Sequence, residues 1–557
     1  MTQEQVKIGN AQKVLVVGLD GATFDIIKPL IALGRLPNLG MLIDEGSHGP
    51  LRSTLPPITP TAWTSYATGK NPGQHGLFDF QHIRPETYDF VPVPANQHGQ
   101  KSLWRILGEH DKKVVVIDVP FTYPPEEVNG YMITGYGTPV TEDCVFTYPP
   151  DLRSELVTQC GSCDVASPGV ETNLHPSFFH RWDEILASRD KITDYLMGKV
   201  PWDFFMIVYG VTDNMQHTLW HFVEPLHPAY HSPEGARYRE KLFSYYEKVD
   251  TLLGKLLVRA GDECHVLIMS DHGFGSTRTG QYLNKLLMDE GLLRYQGSRF
   301  LPGFGDRLMK KVLDVYHTMP IFSRLMKRLG GKQKVGLRKV LESSAILPTP
   351  DNTAWEETRA FPGGYGLQVY INLKGRYPQG TVNPGQEYED LLQNLRQRLL
   401  ALSDPVSGER IIHQVYDARE IYKGPAAAQA PDLIIEYTNF YRPGNTHAPP
   451  ETINPGLEGN HAMDGIFIAK GPHILRKKVE NTNITDLAPT ILYLMGIPVP
   501  DDMDGQVLTD VISETHLKAR PIAYAVATGK EDSVSGYDYT EEEMESIRDR
   551  LRSLGYI

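Results

Sequence analysis

Short, nearly continuous apolar runs recur along the chain, and they constrain its fold more than any other feature. The runs consist mainly of Val, Ile, Leu and Phe, at Val14–Gly18, Val114–Ile117, Phe204–Val208, Val266–Met269, Leu433–Ile435 and Ile466–Ala469. Strands that are buried on both faces of a parallel sheet have this pattern, whereas half-buried strands alternate apolar and polar residues. The runs therefore predict parallel strands in one buried sheet.

Helical patterns lie between these runs. The clearest extends from about Arg237 to Ala260, with apolar residues on one face and Gly261 as its stop signal. A second extends from Tyr388 to Leu402. Strands that alternate with helices are typical of an α/β protein with an open, mostly parallel sheet flanked by helices. We predict this fold class.

Composition excludes several classes of protein. Lys and Arg number 55 against 68 Asp and Glu, so the net charge of −13 argues against a nucleic-acid partner. Four cysteines are too few for a disulfide scaffold. The apolar run Val14–Val17 is shorter than a signal-peptide core, and no run reaches the roughly 20 apolar residues of a membrane span. We expect a cytoplasmic protein without a transmembrane segment.

Aspartates follow three of the predicted strands. Asp20 comes after the first run, Asp213 after Phe204–Val208, and Asp271 after Val266–Met269. The carboxyl ends of parallel strands share one edge of a sheet, and ligands bind at that edge. The three carboxylates are therefore expected to lie close together.

Histidines accompany these aspartates. His272 follows Asp271 directly, and His217 lies four residues after Asp213, on the same face if a helix begins there. A further candidate, His461, precedes the run at Ile466. Three carboxylates and three imidazoles form a ligand set suited to two divalent cations, with zinc or manganese as the candidates.

A hydroxyl near the predicted metals could act as a nucleophile. Thr59 is followed by Pro60, which is typical of a helix start with the threonine as its N-cap. A helix N-terminus favours anions, and a metal ion can activate a bound hydroxyl. Thr59 is therefore the candidate nucleophile, with a purely structural capping role as the alternative.

Several motifs, in this order, resemble those of the alkaline phosphatase superfamily, and within it the type I phosphodiesterase/nucleotide pyrophosphatase family. They are VGLDG, TPTAWTSYATG, PGQHG, TDNMQH, MSDHG and GNHAMDG. The resemblance covers residues 12 to about 275 and about 365 to 510. It implies an alkaline-phosphatase-like fold, two divalent metal ions and hydrolysis of small phosphoric esters.

The resemblance also implies roles for individual residues. Asp213, His217 and His461 match the ligands of one metal, and Asp20, Asp271 and His272 match those of the other. Counting back from the Thr68-Gly69 pair identifies Thr59 as the nucleophile that forms a phosphothreonine intermediate. Thr61 is the alternative, because the family's proline lies two residues after the nucleophile and Pro60 lies only one after Thr59.

Around the substrate the chain departs from the family pattern. Phe80 occupies the expected position of an asparagine that binds phosphoryl oxygens, and Lys70 is the candidate replacement charge. His75 matches a family turn and has either a site role or a structural one. We take Lys70 and Phe80 as candidate substrate-binding residues.

A phosphodiester is the expected substrate. Lys70 is the only cation within Thr54–Phe80, so few groups could neutralise the second charge of a monoester. Phe80 and Trp63 indicate an apolar wall for a second organic group. A phosphomonoesterase, a phosphosugar mutase and a phosphoryl-alcohol head-group transferase remain alternatives on the same metal core.

The domain prediction has a catalytic body at 12–275 and 366–515, an inserted helical cap at 276–365, and a tail at 516–557. Residues 307–340 form a basic stretch, with ten Lys and Arg against one Asp. This stretch is either a solvated face of the cap or a surface that makes weak contact with an anionic surface. Thr540 and Glu543 form a capping box that predicts a C-terminal docking helix.

Overall fold

The computed structural model describes residues 13–93, 99–141, 143–164, 174–280, 282–296, 352–363, 366–404, 407–438, 441–443, 457–527 and 539–553. The strands in chain order, β1 to β20, are Val14–Leu19, Ser47–Arg52, Gln81–Ile83, Phe90–Pro92, Val114–Val119, Gly130–Thr134, Thr147–Tyr148, Phe204–Tyr209, His265–Met269, Gly273–Gly280, Ala360–Pro362, Gln368–Ile371, Ile412–Asp417, Leu433–Tyr437, Tyr441–Pro443, Leu457–Ala462, Asp464–Lys470, Thr482–Asn483, Val499–Pro500 and Tyr524–Ala525.

The helices α1 to α15 lie between and after these strands. They are Phe24–Ala32, Pro37–Glu45, Thr59–Thr68, Pro72–His75, Leu103–Glu109, Leu152–Cys160, Pro176–Lys199, Val211–Leu219, Pro233–Ala260, Tyr282–Asp289, Gln386–Leu400, Ala418–Ile421, Leu487–Leu494, Glu514–Ala519 and Glu541–Ser553. The predicted helix at 237–260 is thus part of α9, and the one predicted at 388–402 corresponds to α11.

A mixed nine-stranded sheet forms the centre, with the order β18-β2-β17-β9-β1-β8-β5-β6-β7. Its middle strands, from β9 through β1, β8 and β5 to β6, are parallel. This arrangement confirms the predicted helix-flanked α/β fold. Two of the predicted parallel strands are wrong in detail.

The run Ile466–Ala469 belongs to the large sheet as β17, but it pairs antiparallel with both β9 and β2. The run Leu433–Ile435 belongs to a separate four-stranded sheet, where β14 pairs antiparallel with β12 and β13. An apolar run indicates that a strand is buried, but it does not indicate whether the neighbouring strand is parallel or antiparallel. The prediction therefore failed for strand direction and not for burial.

Both faces of the central sheet are covered. In β1, Leu15 and Val17 belong to one buried apolar cluster, and Val14 and Val16 belong to another. Because successive side chains in a strand point to opposite faces, this division means that β1 is buried on both sides. Its continuous apolar sequence follows from that double burial.

Helix α15 packs against the body of the protein. The Thr540 hydroxyl accepts from the Glu543 backbone N–H at 3.2 Å, and the Glu543 carboxylate accepts from the Thr540 N–H at 2.9 Å, which completes the capping box. Ile547 and Leu551 join the main buried cluster. The Tyr123 hydroxyl also donates to the Glu543 carboxylate at 2.9 Å, which ties the helix to the body.

A second apolar core lies under the small sheet β11-β12-β14-β13. It contains residues from α10 and α11 as well as from the sheet. The basic stretch 307–340 lies outside the described residues, and the predicted domain boundaries stay a prediction. Within the described ranges, no helix taken alone combines the length and apolarity needed to cross a membrane.

Candidate active site

Three carboxylates meet where neighbouring parallel strands end. Asp20 follows β1 directly, Asp271 lies two residues after β9, and Asp213 lies in the first turn of α8, which follows β8. Because β9, β1 and β8 are adjacent in the sheet, their ends bring these residues together. Asp20, Asp213 and Asp271 are 5%, 6% and 0% exposed, so all three are buried.

Helix α8 places His217 beside Asp213. Both residues lie in this helix, four positions apart and therefore on one face. The distance from His217 Nε2 to Asp213 Oδ1 is 3.3 Å. A helix does begin at this motif, which is the condition for the two side chains to share a face.

His461 reaches the same place from a distant part of the sequence. Strand β16 pairs antiparallel with β10, and His461 lies opposite Phe274 in that pairing. Since β10 begins directly after His272, the pairing brings the two histidines together, and their rings stack with centroids 3.6 Å apart. His461 Nε2 lies 3.6 Å from Asp213 Oδ1.

The carboxylates and imidazoles form two groups in which the potential ligand atoms lie within 4.8 Å of one another. One consists of Asp213, His217 and His461, and the other of Asp20, Asp213 and His272. The first group contains the same three residues as the ligand set predicted for one of the two metals. The second differs from the prediction because Asp213 belongs to both groups, while Asp271 contacts this group through Oδ2, 3.3 Å from His272 Nε2.

Several of these atoms are buried without a hydrogen bond. Within the described part of the chain this holds for Asp20 Oδ1, Asp213 Oδ1, Asp271 Oδ2 and His272 Nε2. Buried carboxylate oxygens are costly unless they are hydrogen-bonded, paired or coordinated. Oxygen and imidazole nitrogen donors suit a divalent cation such as zinc or manganese. The residues therefore fit a metal centre.

The pKa shifts of the three aspartates also indicate a site that favours a bound cation. Burial, together with the charges of Asp271 and Asp213, holds the pKa of Asp20 well above its usual range. Burial is also the main reason that the pKa of Asp271 rises to about 8, with the charge of Asp213 adding to it. Burial opposes ionisation of Asp213 as well, but His217 and His461 outweigh it and hold that pKa well below its usual range. Additional positive charge here would stabilise the ionised carboxylates.

Neighbouring groups fix the orientation of the candidate ligands. The Trp63 indole N–H donates to Asp20 Oδ2 at 3.2 Å, and the Gly21 N–H donates to Asp271 Oδ1 at 3.2 Å. His272 Nδ1 lies 2.9 Å from the Gly273 carbonyl oxygen, and His461 Nδ1 lies 3.1 Å from that of Pro57. A neutral ring that donates from Nδ1 to a carbonyl leaves its Nε2 lone pair available for a metal.

Thr59 stands at the N-terminus of α3, but it is not the N-cap. Ile58 holds that position, and Thr59 and Pro60 are the first helical residues, so the predicted capping role is wrong. Thr59 lines a cavity together with Asp20 and Asp213, and Thr61 is absent from that lining among the described residues. Of the two candidate hydroxyls, Thr59 is therefore the one that lies on the cavity beside Asp20 and Asp213.

The sequence as a whole matches a known family profile. The type I phosphodiesterase / nucleotide pyrophosphatase profile matches residues 14–461, which is most of the chain. The chain belongs to this family. Through it, the chain also belongs to the alkaline phosphatase superfamily. Membership indicates a hydrolase of phosphoric ester or anhydride bonds.

A solved structure of low sequence identity has the same fold, and a second is similar in coverage. Phosphonoacetate hydrolase from Sinorhizobium meliloti, in complex with phosphonoformate, is 13% identical with a TM-score of 0.50, and the match covers 87% of this chain and 95% of that one. Human ectonucleotide pyrophosphatase/phosphodiesterase 5 is 14% identical with a TM-score of 0.49, and the match covers 90% and 100%. No curated protein matches by sequence.

In this phosphodiesterase-family chain, Lys70 does not reach the site. Its ammonium donates to Gln100 Oε1 at 2.7 Å and forms an ion pair with Asp502 at 2.5 Å. Lys70 follows the C-terminal end of α3, whereas Thr59 begins that helix, so roughly 15 Å of helix separates them. This ion pair holds the Lys70 side chain away from the carboxylate cluster, and its contact with a substrate stays a prediction.

The structure also places Phe80, Trp63 and His75 in the interior. Phe80 is 1% exposed and packs edge-on against Phe121 and against Tyr136, which lines the cavity. It therefore supports the cavity wall from behind and does not form its surface. Trp63 belongs to the apolar core apart from its bond to Asp20. His75 Nε2 lies 2.9 Å from Ser65 Oγ, which favours its structural role.

Sequence reasoning missed most of the cavity lining. The overlooked polar residues are Asp118, Tyr136, Asp164, Trp182, Arg189, Tyr209, Asn214 and Arg550. Of these, Asn214 could have been predicted from the sequence, because it lies next to Asp213, which follows a predicted strand. Tyr209 ends β8, four residues before Asp213, and the others come from distant segments that no short motif marks.

Trp63→Phe tests whether the indole N–H orients Asp20. The change keeps an aromatic ring but removes the donor, and loss of such a supporting bond lowers metal affinity by about 10–100-fold. Competition with a chromogenic chelator measures this affinity. Trp104→Phe is the matched control, because its buried indole donates to Glu126 instead. Equal zinc affinities in both variants would contradict the assigned role of Trp63.

Proposed function

We propose that the chain is a metal-dependent phosphohydrolase that prefers phosphodiesters and acts through a phosphothreonine intermediate. The observation that carries the proposal is the overlap of two ligand groups at Asp213 beside a cavity that Thr59 also lines. A metal centre and a nucleophile on one cavity are the elements that a covalent phosphoryl transfer requires.

The metal ligands follow from the two groups. Asp213, His217 and His461 would hold one divalent ion, and Asp20, His272 and Asp271 the other, with Asp213 near both. When bound, such ions supply Lewis-acid chemistry, which lowers the pKa of a coordinated hydroxyl and offsets negative charge on phosphorus oxygens. Zn²⁺ is the first candidate for this donor set, and Mn²⁺ is the second.

Thr59 would attack phosphorus from the start of helix α3. A bond forms between its Oγ1 and phosphorus, and the ester bond to the leaving oxygen breaks. Water then hydrolyses the phosphothreonine and regenerates the hydroxyl. The backbone N–H groups at the first turn of α3 favour an anion at this position, and no side chain in the described ranges caps them.

The cavity wall supports a diester as substrate. Ile185, Leu186, Val208 and Val211 line it beside Thr59, and these apolar side chains suit a second organic group. This surface comes from α7, β8 and α8, not from Phe80 and Trp63 as the sequence suggested.

Metal dependence has a direct test. Asp271→Ala or His272→Ala should abolish hydrolysis and lower the metal content from about two ions per chain toward one, since each removes a buried candidate ligand. Elemental analysis of the purified variants measures this content. Asp262→Ala, which changes an exposed carboxylate, is the control. Inactive variants with unchanged metal content would refute the ligand assignment.

The nucleophile can be separated from the metals. Thr59→Ala should retain the bound metal but lose turnover by on the order of 10³-fold or more, because the covalent route is gone. Thr59→Ser should keep part of the activity. Thr61→Ala is the matched comparison, and a larger loss in that variant would assign the role to Thr61. Steady-state kinetics with parallel metal analysis decide between them.

Substrate preference is tested with two chromogenic esters. The kcat/KM for bis-p-nitrophenyl phosphate should exceed that for p-nitrophenyl phosphate, because the apolar wall can bind only the second aryl group of the diester. A tenfold preference for the monoester, equivalent to about 1.4 kcal/mol, would instead indicate a monoesterase or mutase. Product analysis with a competing alcohol distinguishes hydrolysis from head-group transfer.

A further inference from the structure

The cavity beside Thr59 extends beyond the carboxylate cluster. Asp20, Thr59 and Asp213 line one part of it, and residues from β5, α7, β8 and α15 line much of the rest. Its volume is about 70 Å³. This space can hold several waters or a compact chemical group.

Four buried polar atoms on the cavity lining, besides those of the candidate metal ligands, lack a hydrogen-bond partner within the described residues. They are Tyr136 Oη, Trp182 Nε1, Tyr209 Oη and Asn214 Oδ1. Trp182, Tyr209 and Asn214 are 3%, 2% and 8% exposed, so these side chains are withdrawn from bulk solvent. A buried polar atom without a partner is destabilising, and a ligand that pairs with it removes that cost.

These four atoms define what such a ligand must offer. The Trp182 indole N–H can only donate a hydrogen bond. The Asn214 amide nitrogen already donates to the Gly210 carbonyl at 3.2 Å, which leaves its carbonyl oxygen as an acceptor. The hydroxyls of Tyr136 and Tyr209 can donate and accept. A ligand hydroxyl can also do both, whereas a carboxylate or phosphate oxygen without a proton can only accept.

Both phenols lie near other residues of the cavity wall. Burial raises the pKa of Tyr136, and the charge of Arg550 opposes this shift. Burial also raises the pKa of Tyr209, and the charges of Asp190 and Asp118 add to that shift. Arg550 and Asp118 line the cavity, so each phenol is close to its wall. Near neutral pH both hydroxyls therefore keep their protons.

The charged residues of the lining offset one another. Apart from the candidate metal ligands they are two carboxylates and two guanidinium groups, on Asp118, Asp164, Arg189 and Arg550. Asp118 forms an ion pair with Arg189 and is close enough to Arg550 for each to affect the other's pKa. Asp164 pairs with Arg181 at 2.9 Å. Since burying an unpaired charge is costly, this balance favours a neutral ligand over an ion.

Apolar side chains form the remaining wall. Ile185 and Leu186 of α7 lie on it together with Val208 and Val211, on either side of Tyr209 in the sequence. Such a surface suits the carbon chain of a ligand, and a few polar groups fix its orientation. The cavity thus combines an apolar wall with isolated donors and acceptors.

We propose that this cavity binds a neutral, hydroxyl-bearing carbon chain on the alcohol of the ester, and that Tyr136 and Tyr209 recognise its hydroxyl. The inference rests on the proposed function and adds two specificity-determining residues to it. A site that hydrogen-bonds a substrate hydroxyl discriminates against an analogue without it, because the polar groups of the site then stay unpaired.

Three p-nitrophenyl phosphodiesters with one leaving group and second groups of equal size test this. The second groups are 4-hydroxybutyl, pentyl and 2-carboxyethyl. We expect the wild-type protein to favour the 4-hydroxybutyl ester over each of the other two by about fivefold or more in kcat/KM, the effect of one or two hydrogen bonds. A preference for the pentyl or the carboxyethyl ester, or equal values for all three, would overturn the inference and leave the proposed hydrolysis intact.

The variant Tyr136→Phe/Tyr209→Phe removes both hydroxyls and keeps both rings. The ratio of the 4-hydroxybutyl to the pentyl ester should fall to within about twofold of one, and the two single variants show how much each hydroxyl contributes. Thermal unfolding should show no loss of Tm, because neither hydroxyl has a partner to lose. An unchanged ratio would refute the role of the phenols, and so would an equal loss on all three esters.

Tyr245→Phe is the matched control. Its buried hydroxyl donates to the Phe179 carbonyl at 2.9 Å, and among the described residues Tyr245 is not part of the cavity lining. This variant should lower the Tm and leave the ratio between the esters unchanged. The control therefore separates loss of a structural hydrogen bond from loss of substrate recognition.

A binding measurement keeps the inference testable if none of the esters is hydrolysed, a result that would count against the proposed function. Calorimetry compares 4-hydroxybutyl phosphate with pentyl phosphate on the metal-loaded protein. Tighter binding of the hydroxylated ligand by the wild-type protein, reduced in Tyr136→Phe/Tyr209→Phe, would support the inference. Equal affinities for the two ligands would overturn it.

Discussion

Three carboxylates buried side by side at the ends of β9, β1 and β8 repel one another, and the rest of the site depends on how that repulsion is balanced. His217 and His461 flank Asp213 and favour its ionised form. Asp20 and Asp271 keep raised pKa values instead, because burial and their acidic neighbours dominate there. Such an arrangement is costly in an interior without cations, and divalent ions would reverse that cost.

The predictable part of the site is the part that strand geometry controls. Asp20, Asp213 and Asp271 each follow an apolar run, and parallel strands end at a common edge, so their convergence was derivable. His217 follows from helical periodicity. His461 is different, because it reaches the cluster only through the pairing of β16 with β10, almost two hundred residues apart in sequence. Its position before the run at Ile466 made it a candidate ligand, and only the family resemblance grouped it with Asp213 and His217.

The wrong predictions have a common physical origin. The local sequence does not determine which distant residues a strand or a side chain contacts. The runs at 433–435 and 466–469 are as apolar as β1, yet both pair antiparallel, one of them in another sheet. Lys70 is near Thr59 in sequence, but its ion pair with Asp502 draws it into a different environment. Ile58, rather than Thr59, occupies the N-cap position of α3, so Pro60 is the second helical residue and not the first.

The cationic residues near the cavity also could not be predicted from the local sequence. A count of charges within Thr54–Phe80 finds Lys70 alone, but the fold brings Arg189 and Arg550 to the cavity from distant segments. Asp118 forms an ion pair with Arg189 and is also close enough to Arg550 for each to affect the other's pKa, so this carboxylate offsets positive charge from both arginines. The strand ends position the candidate metal ligands, whereas the charged residues around the cavity come from elements that lie far apart in the sequence.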